Sequence, residues 1–244
     1  MSEPAAGCGD DPRSAAALAR NDRYLREFVE AFNLCPYAKR TRETGLLTRV
    51  VLLNEGGAPG CPAYENAVTA LADAIERMEH LPTDSIDVGL VIFAALVPAL
   101  SRGLEGAHAF ERLVGEARER MLSRHPNGDT PFYCVPFHPD FAEDLSDEHR
   151  AVRFIRRSPD PTVQLVRAKV LRAVRGNGTT DYVDTAGLNA TELMAISVPL
   201  PVSDRIGRAN LRTLREESPE RMRSLLAAFR SDCGPPANRR NERD

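Results

Sequence analysis

Three short segments hold the residues able to do chemistry. The first is Asn33-Leu34-Cys35-Pro36-Tyr37-Ala38-Lys39-Arg40. A thiol near cations is drawn toward the thiolate. Lys39 and Arg40 therefore mark Cys35 as a candidate nucleophile, redox thiol or soft-metal ligand. The opposing reading is a buried cysteine in a helix-ending turn, since free Cys is among the most buried residue types. A Cys-Pro pair also occurs where heme iron is held through sulfur, the proline turning the chain away from the ligand. The second segment is Phe137-His138-Pro139-Asp140. His138 directly follows an expected strand, and α/β folds bind ligands outside the carboxyl ends of strands. It is a candidate general base, metal ligand or axial heme ligand. The opposing reading is a histidine that caps the sheet through a backbone hydrogen bond.

The third segment is Arg153-Phe154-Ile155-Arg156-Arg157-Ser158-Pro159-Asp160-Pro161. From Arg150 to Arg175 seven Arg and one Lys stand against the single acid Asp160, a local charge of +7. Ser158 and the two prolines prepare a helix start, where free N–H groups attract anions. Arg157, with Arg153, Arg156 and Ser158, is then expected to clamp a carboxylate, a phosphate or a heme propionate. Lys39, Arg40, Tyr37 and Asp140 join this candidate substrate-binding set. The opposing reading pairs these arginines with the five acids between Asp140 and Glu148.

The elements that position these residues follow from periodicity. Leu18, Leu25, Phe28, Val29 and Phe32 recur at helical steps, predicting a helix from about Ser14 to Asn33 that ends at Cys35-Pro36. Strands are expected at Thr48–Leu53, Asp87–Ala95 and Pro131–Phe137. Helices are expected at about Tyr64–Glu79 and Glu105–Leu122. The stripe Val163, Val166, Val170, Val174 predicts a helix from Thr162 to Arg175, and Arg153–Pro161 reads as an ordered loop. Ser203 caps a helix through Glu216, and Ser218-Pro219 opens a last one. Helices alternating with strands predict an α/β fold: a small central mixed or partly parallel sheet with crossover helices, plus C-terminal helices. Residues 1–13 and 231–244 read as disordered, and 14–230 as one α/β domain.

Composition narrows the function. With 32 basic and 35 acidic residues among 244, the net charge is −3, which argues against a generally basic nucleic-acid binder. No apolar run reaches the length of a membrane span. The five cysteines form no C-x-x-C pair, so a reducing cytoplasm is expected and a disulfide framework is not. There is no Gly-rich phosphate loop, no H-E-x-x-H and no G-x-S-x-G.

The segments Asn-Leu-Cys-Pro-Tyr-Ala, Phe-His-Pro-Asp-Phe and Arg-Ser-Pro-Asp-Pro-Thr-Val-Gln-Leu occur in that order, followed by Ile206–Leu214 with its Arg-Ala-Asn-Leu. In this combination the chain resembles the bacterial family catalogued as domain of unknown function 1415, over roughly residues 15–215. The resemblance implies a fold and a motif set but no reaction. Departures are Tyr37 where relatives have Phe, Phe93-Ala94 where they often carry His-Pro, and a longer connection at 176–203. The pattern is also similar to heme-dependent arginine N-hydroxylases. Three functions are expected to compete. One is a heme- or iron-dependent, oxygenase-like oxidoreductase with His138 or Cys35 as axial ligand, acting on a small polar substrate. The second is a cofactor-free enzyme using Cys35 and His138 as nucleophile and base. The third is a non-catalytic module binding an anionic ligand.

Overall fold

Apolar residues at three- and four-residue steps make the helices, and β-branched alternation makes the strands. The structure, a computed structural model, describes residues 11–35, 37–175 and 202–231. Helix α1 (Pro12–Arg23) starts on the side chain of Asp11, which accepts the Arg13 N–H at 2.8 Å, with proline in its first turn. The chain continues without a break as a π-helical stretch, Tyr24–Glu30. It then turns through Asn33 at φ +50°, a left-handed conformation that asparagine tolerates better than most residues. Then come α2 (Ala38–Glu43), β1 (Leu47–Leu52), α3 (Pro62–Glu79), β2 (Val88–Phe93), the short α4 (Pro98–Ser101) and α5 (Gly103–Ser123). They are followed by β3 (Phe132–Phe137), α6 (Glu148–Ile155), β4 (Thr162–Arg167) and α7 (Ala168–Arg175). Two C-terminal helices, α8 (Val202–Glu216) and α9 (Pro219–Ser231), complete the described chain.

The sheet runs β1-β2-β4-β3. β1 and β2 are parallel, while β4 is antiparallel to both β2 and β3. The fold is thus α/β with a mixed sheet, a parallel pair and C-terminal helices. α3 and α5 cover one face, burying Leu71, Ile75, Phe110 and Leu113 against Val91, Phe93, Val163 and Leu165. On the other face α1 covers only part of the sheet, through Ala17 against Val51, Leu90 and Ile92. A further core joins the π-helical stretch to α6, α8 and α9 through Tyr24, Phe28, Phe154, Leu214, Met222 and Phe229.

The structure departs from the sequence expectations in several places. Residues 162–167 form a strand, not the first half of a helix. Val163, Leu165 and Arg167 point to the α3–α5 face, and Thr162, Gln164 and Val166 to the other. Val163 and Val166 suit a helical step of three but fall on opposite faces of the strand, and pairing with β2 and β3 decided the outcome. The stretch expected as a loop from Arg153 begins inside α6, which Asp147 caps by accepting the His149 and Arg150 N–H groups at 2.9 Å each. Residues 11–13, expected to be disordered, belong to the start of α1. The expectations for residues 1–10, Pro36, 176–201 and 232–244 lie outside the described residues. No helix among the described residues is long and apolar enough to cross a membrane.

Leu214 on α8 is fully buried in the core beside the π-helical stretch. Leu214→Ala should cost about 2–5 kcal/mol of unfolding free energy by urea denaturation. A loss below about 0.5 kcal/mol, the range of ordinary surface substitutions, would mean α8 is not packed as described.

Candidate functional site

Because α1 leaves part of one sheet face uncovered, a cavity of about 340 Å³ remains between that face, the first helix, α6 and α8. Strand alternation supplies its floor: Val88 and Leu90 of β2, Gln164 of β4 and Phe137 of β3 share one face. Leu25, Val29 and Leu34 make one wall, Val152 and Ile155 of α6 another, and Ile206 of α8 a third. The π-helical stretch carries Tyr24, Leu25 and Val29 into this space. Such stretches are rare and recur at functional sites.

Into this largely apolar space the chain directs Arg156, just past the end of α6. Two hydrogen bonds hold that corner. The Tyr24 hydroxyl donates to the Ile155 carbonyl at 2.9 Å, and the His138 N–H donates to the Arg156 carbonyl at 3.0 Å. The neighbouring cations are engaged elsewhere. Arg150 pairs with Asp144 at 3.0 Å, Arg153 with Glu111 at 3.1 Å, Arg157 with Glu143 at 3.4 Å and Lys169 with Asp87 at 3.5 Å. Arg167 donates to the carbonyls of Ile86, Met78 and Leu81 and lies over the Phe132 ring. Among the described residues Arg156 makes no side-chain hydrogen bond or ion pair, and no carboxylate lines its cavity. Burial, with the charge of Arg153 adding to it, lowers the guanidinium pKa, yet a guanidinium stays charged in proteins.

Four of the sequence candidates meet at this cavity: Cys35, Tyr37, Arg156 and Ser158. Burial pushes the Cys35 thiol up, and hydrogen bonds from the Tyr37 and Ala38 backbone only partly oppose it. Lys39 and Arg40 are exposed on α2 and do not line the cavity, so they do not draw Cys35 toward the thiolate as expected. Arg153 and Asp140 are also elsewhere. Arg153 lies over the Phe141 ring, and Asp140 accepts from Arg230 at 2.8 Å and from the Gly103 N–H at 2.7 Å. The expected anion site at Arg157 is not formed. No helix starts after Ser158, because a strand does, and Arg157 is held by Glu143 and by the Pro139 carbonyl at 3.2 Å.

His138 does not line the cavity. Alternation along the chain sends Phe137 toward it and His138 to the opposite side, between Phe110 and Phe141 at ring distances of 5.9 and 5.8 Å. The ring is 0% exposed, and both nitrogens are used. Nδ1 accepts the Asp140 N–H at 3.1 Å, which assigns the proton to Nε2, which donates to the Leu100 carbonyl at 3.1 Å. With no free lone pair it fits neither an axial heme ligand nor a base for Cys35. The sheet-capping reading describes it.

Asn21, Gln164 and Asn210 also line the cavity, beyond the residues whose type singles them out in the sequence. A signal was available. Asn21 interrupts the stripe Ala17, Tyr24, Phe28, and Asn210 interrupts Ile206, Leu214. A polar residue inside an apolar stripe is buried with a purpose or at a cost.

A family model with the description "Protein of unknown function (DUF1415)" matches residues 16–193. The wall formed by α8 therefore lies beyond the matched part. No curated protein and no solved structure matches the chain.

Burial lowers the His138 pKa from 6.5 to about 4, more than its hydrogen bond to Leu100 raises it. Between those values the unfolded chain binds a proton that the folded ring refuses. Stability from this site is therefore lost as pH falls through that window, by up to about 3 kcal/mol. Urea unfolding at about pH 7 and about pH 4.5 should show a steeper acid loss in the wild type than in His138→Gln. Equal losses would place the ring in water.

Proposed function

The chain belongs to the family described as Protein of unknown function (DUF1415), a description that assigns no reaction, and we propose that this member binds a small, largely apolar molecule carrying a carboxylate or phosphate. Arg156 carries the proposal. A guanidinium drawn into an apolar space without a partner costs several kcal/mol, and an anion held by two parallel hydrogen bonds offsets that cost. The apolar walls favour a hydrocarbon body at about 25 cal/mol per Å² buried. The volume of about 340 Å³ is within the range of small-molecule sites. This body differs from the small polar substrate expected from the sequence. A nucleophile–base pair of Cys35 and His138 has no support, since the two face different sides of the sheet.

A second reading is favoured by the Cys35 thiol in the same wall: heme held through that sulfur, with Arg156 on a propionate. Hemin titration of the wild type and of Cys35→Ser separates it, because only sulfur ligation shifts the Soret band in the first and not the second.

The acid-binding reading is tested with octanoate by titration calorimetry. Arg156→Gln should weaken binding by about tenfold or more, since a charge-assisted pair is worth roughly 1.5–3 kcal/mol. Binding of equal strength in both proteins would discard Arg156 as the grip.

A further inference from the structure

Resting on the acid-binding reading, we infer that the ligand also carries a neutral hydrogen-bond donor, a hydroxyl or an amide N–H, and that free amino acids and amines are rejected. Asn210 is 5% exposed, and its Nδ2 donates to the Leu34 carbonyl at 3.0 Å. That bond fixes which end of the amide is which. Oδ1 is left without a partner among the described residues, on a residue that lines the cavity. Asn21, 2% exposed, also has an Oδ1 with no hydrogen-bond partner, but that oxygen is sealed in the protein and is not offered to the cavity. Gln164 adds a third amide with no side-chain hydrogen bond among the described residues.

The Asn210 oxygen is the acceptor left open to the cavity, and an acceptor unpaired in an apolar space is a demand for a donor, because it forfeits hydration with little return. The donor's charge is set by what else lines the cavity. An ammonium needs a carboxylate, and none lines the cavity among the described residues. An ammonium would also share the cavity with Arg156, whose charge repels it. A hydroxyl or amide N–H meets the same acceptor without either penalty. The ligand class is therefore an apolar hydroxy acid or N-acylated acid, with the acid on Arg156 and the donor on Asn210. The two parts are set by different stretches of chain, since Asn210 lies outside residues 16–193 and Arg156 inside.

The test uses the full chain and three acids with one carbon skeleton: leucine, its α-hydroxy counterpart and the plain acid lacking both groups. Titration calorimetry should give the hydroxy acid about tenfold tighter binding than the plain acid, the worth of one buried hydrogen bond. Leucine should bind weakest. Asn210→Leu should bring the hydroxy and plain acids to about equal affinity. Asn210→Asp, which puts a carboxylate at the acceptor, should raise leucine above the hydroxy acid. Should either variant fail to fold, Asn210→Ala should narrow the same ratio. Equal binding of hydroxy and plain acids by the wild type overturns the inference and leaves the Arg156 grip standing. Tightest binding of leucine overturns it as well. Binding of none of the three removes the grip and the inference together.

Discussion

The imidazole of His138 holds separate pieces of chain in one place. Its backbone N–H takes the carbonyl of Arg156, its Nε2 reaches the carbonyl of Leu100, and its Nδ1 receives the N–H of Asp140. Asp140 in turn receives the N–H of Gly103 at the start of α5 and the guanidinium of Arg230 on α9. The end of β3, the end of α6, the α4–α5 junction and the last helix thus meet around one ring. The ring can do this because it is neutral and dry. A protonated imidazole has no acceptor to offer the Asp140 N–H. The placement of Arg156 follows, since its carbonyl is fixed here and its side chain leaves toward the opposite face.

Thirty of the 32 basic residues are arginines, and much of the architecture uses them as crosslinks. Arg20 on α1 grips Asp160 ahead of β4 with two bonds of 2.9 and 2.8 Å. Arg42 grips Glu30 in the same fork-to-fork way at 2.8 and 2.9 Å. Arg167, buried in the sheet, satisfies three carbonyls and stacks on Phe132. A planar group with five donors suits such work, where an ammonium would leave carbonyls unmatched. Against this background Arg156, a guanidinium with no partner among the described residues, stands out. The charge excess between Arg150 and Arg175 is thus mostly structural.

Helices with a clean apolar stripe and three of the four strands were legible in the sequence, as was the mixed α/β arrangement. β4 was hidden because its valines, three apart, run on into Val170 and Val174 as a helical stripe. α6 was hidden because its start is polar and its cap, Asp147, stands within a run of acids. At the site, Cys35, Tyr37, Arg156 and Ser158 were legible because cation, thiol and hydroxyl announce chemistry by type. Their company was misjudged. Sequence neighbours such as Lys39 and Arg157 were credited with proximity that the helix and the strand then denied them. His138 was misplaced by one step of alternation. Asn21 and Asn210 carry no alarming chemistry and become visible only when their stripes are seen to be buried.

The last wall of the cavity comes from α8, which follows the end of the family match at residue 193. On the proposed reading, the grip on a charged head and most of the apolar lining fall inside the matched stretch, while one wall of the mould is written outside it. Either can drift while the other is kept. A chain that retained the first part and exchanged the second would hold the same kind of head on a different body, so a shared family name need not mean a shared ligand.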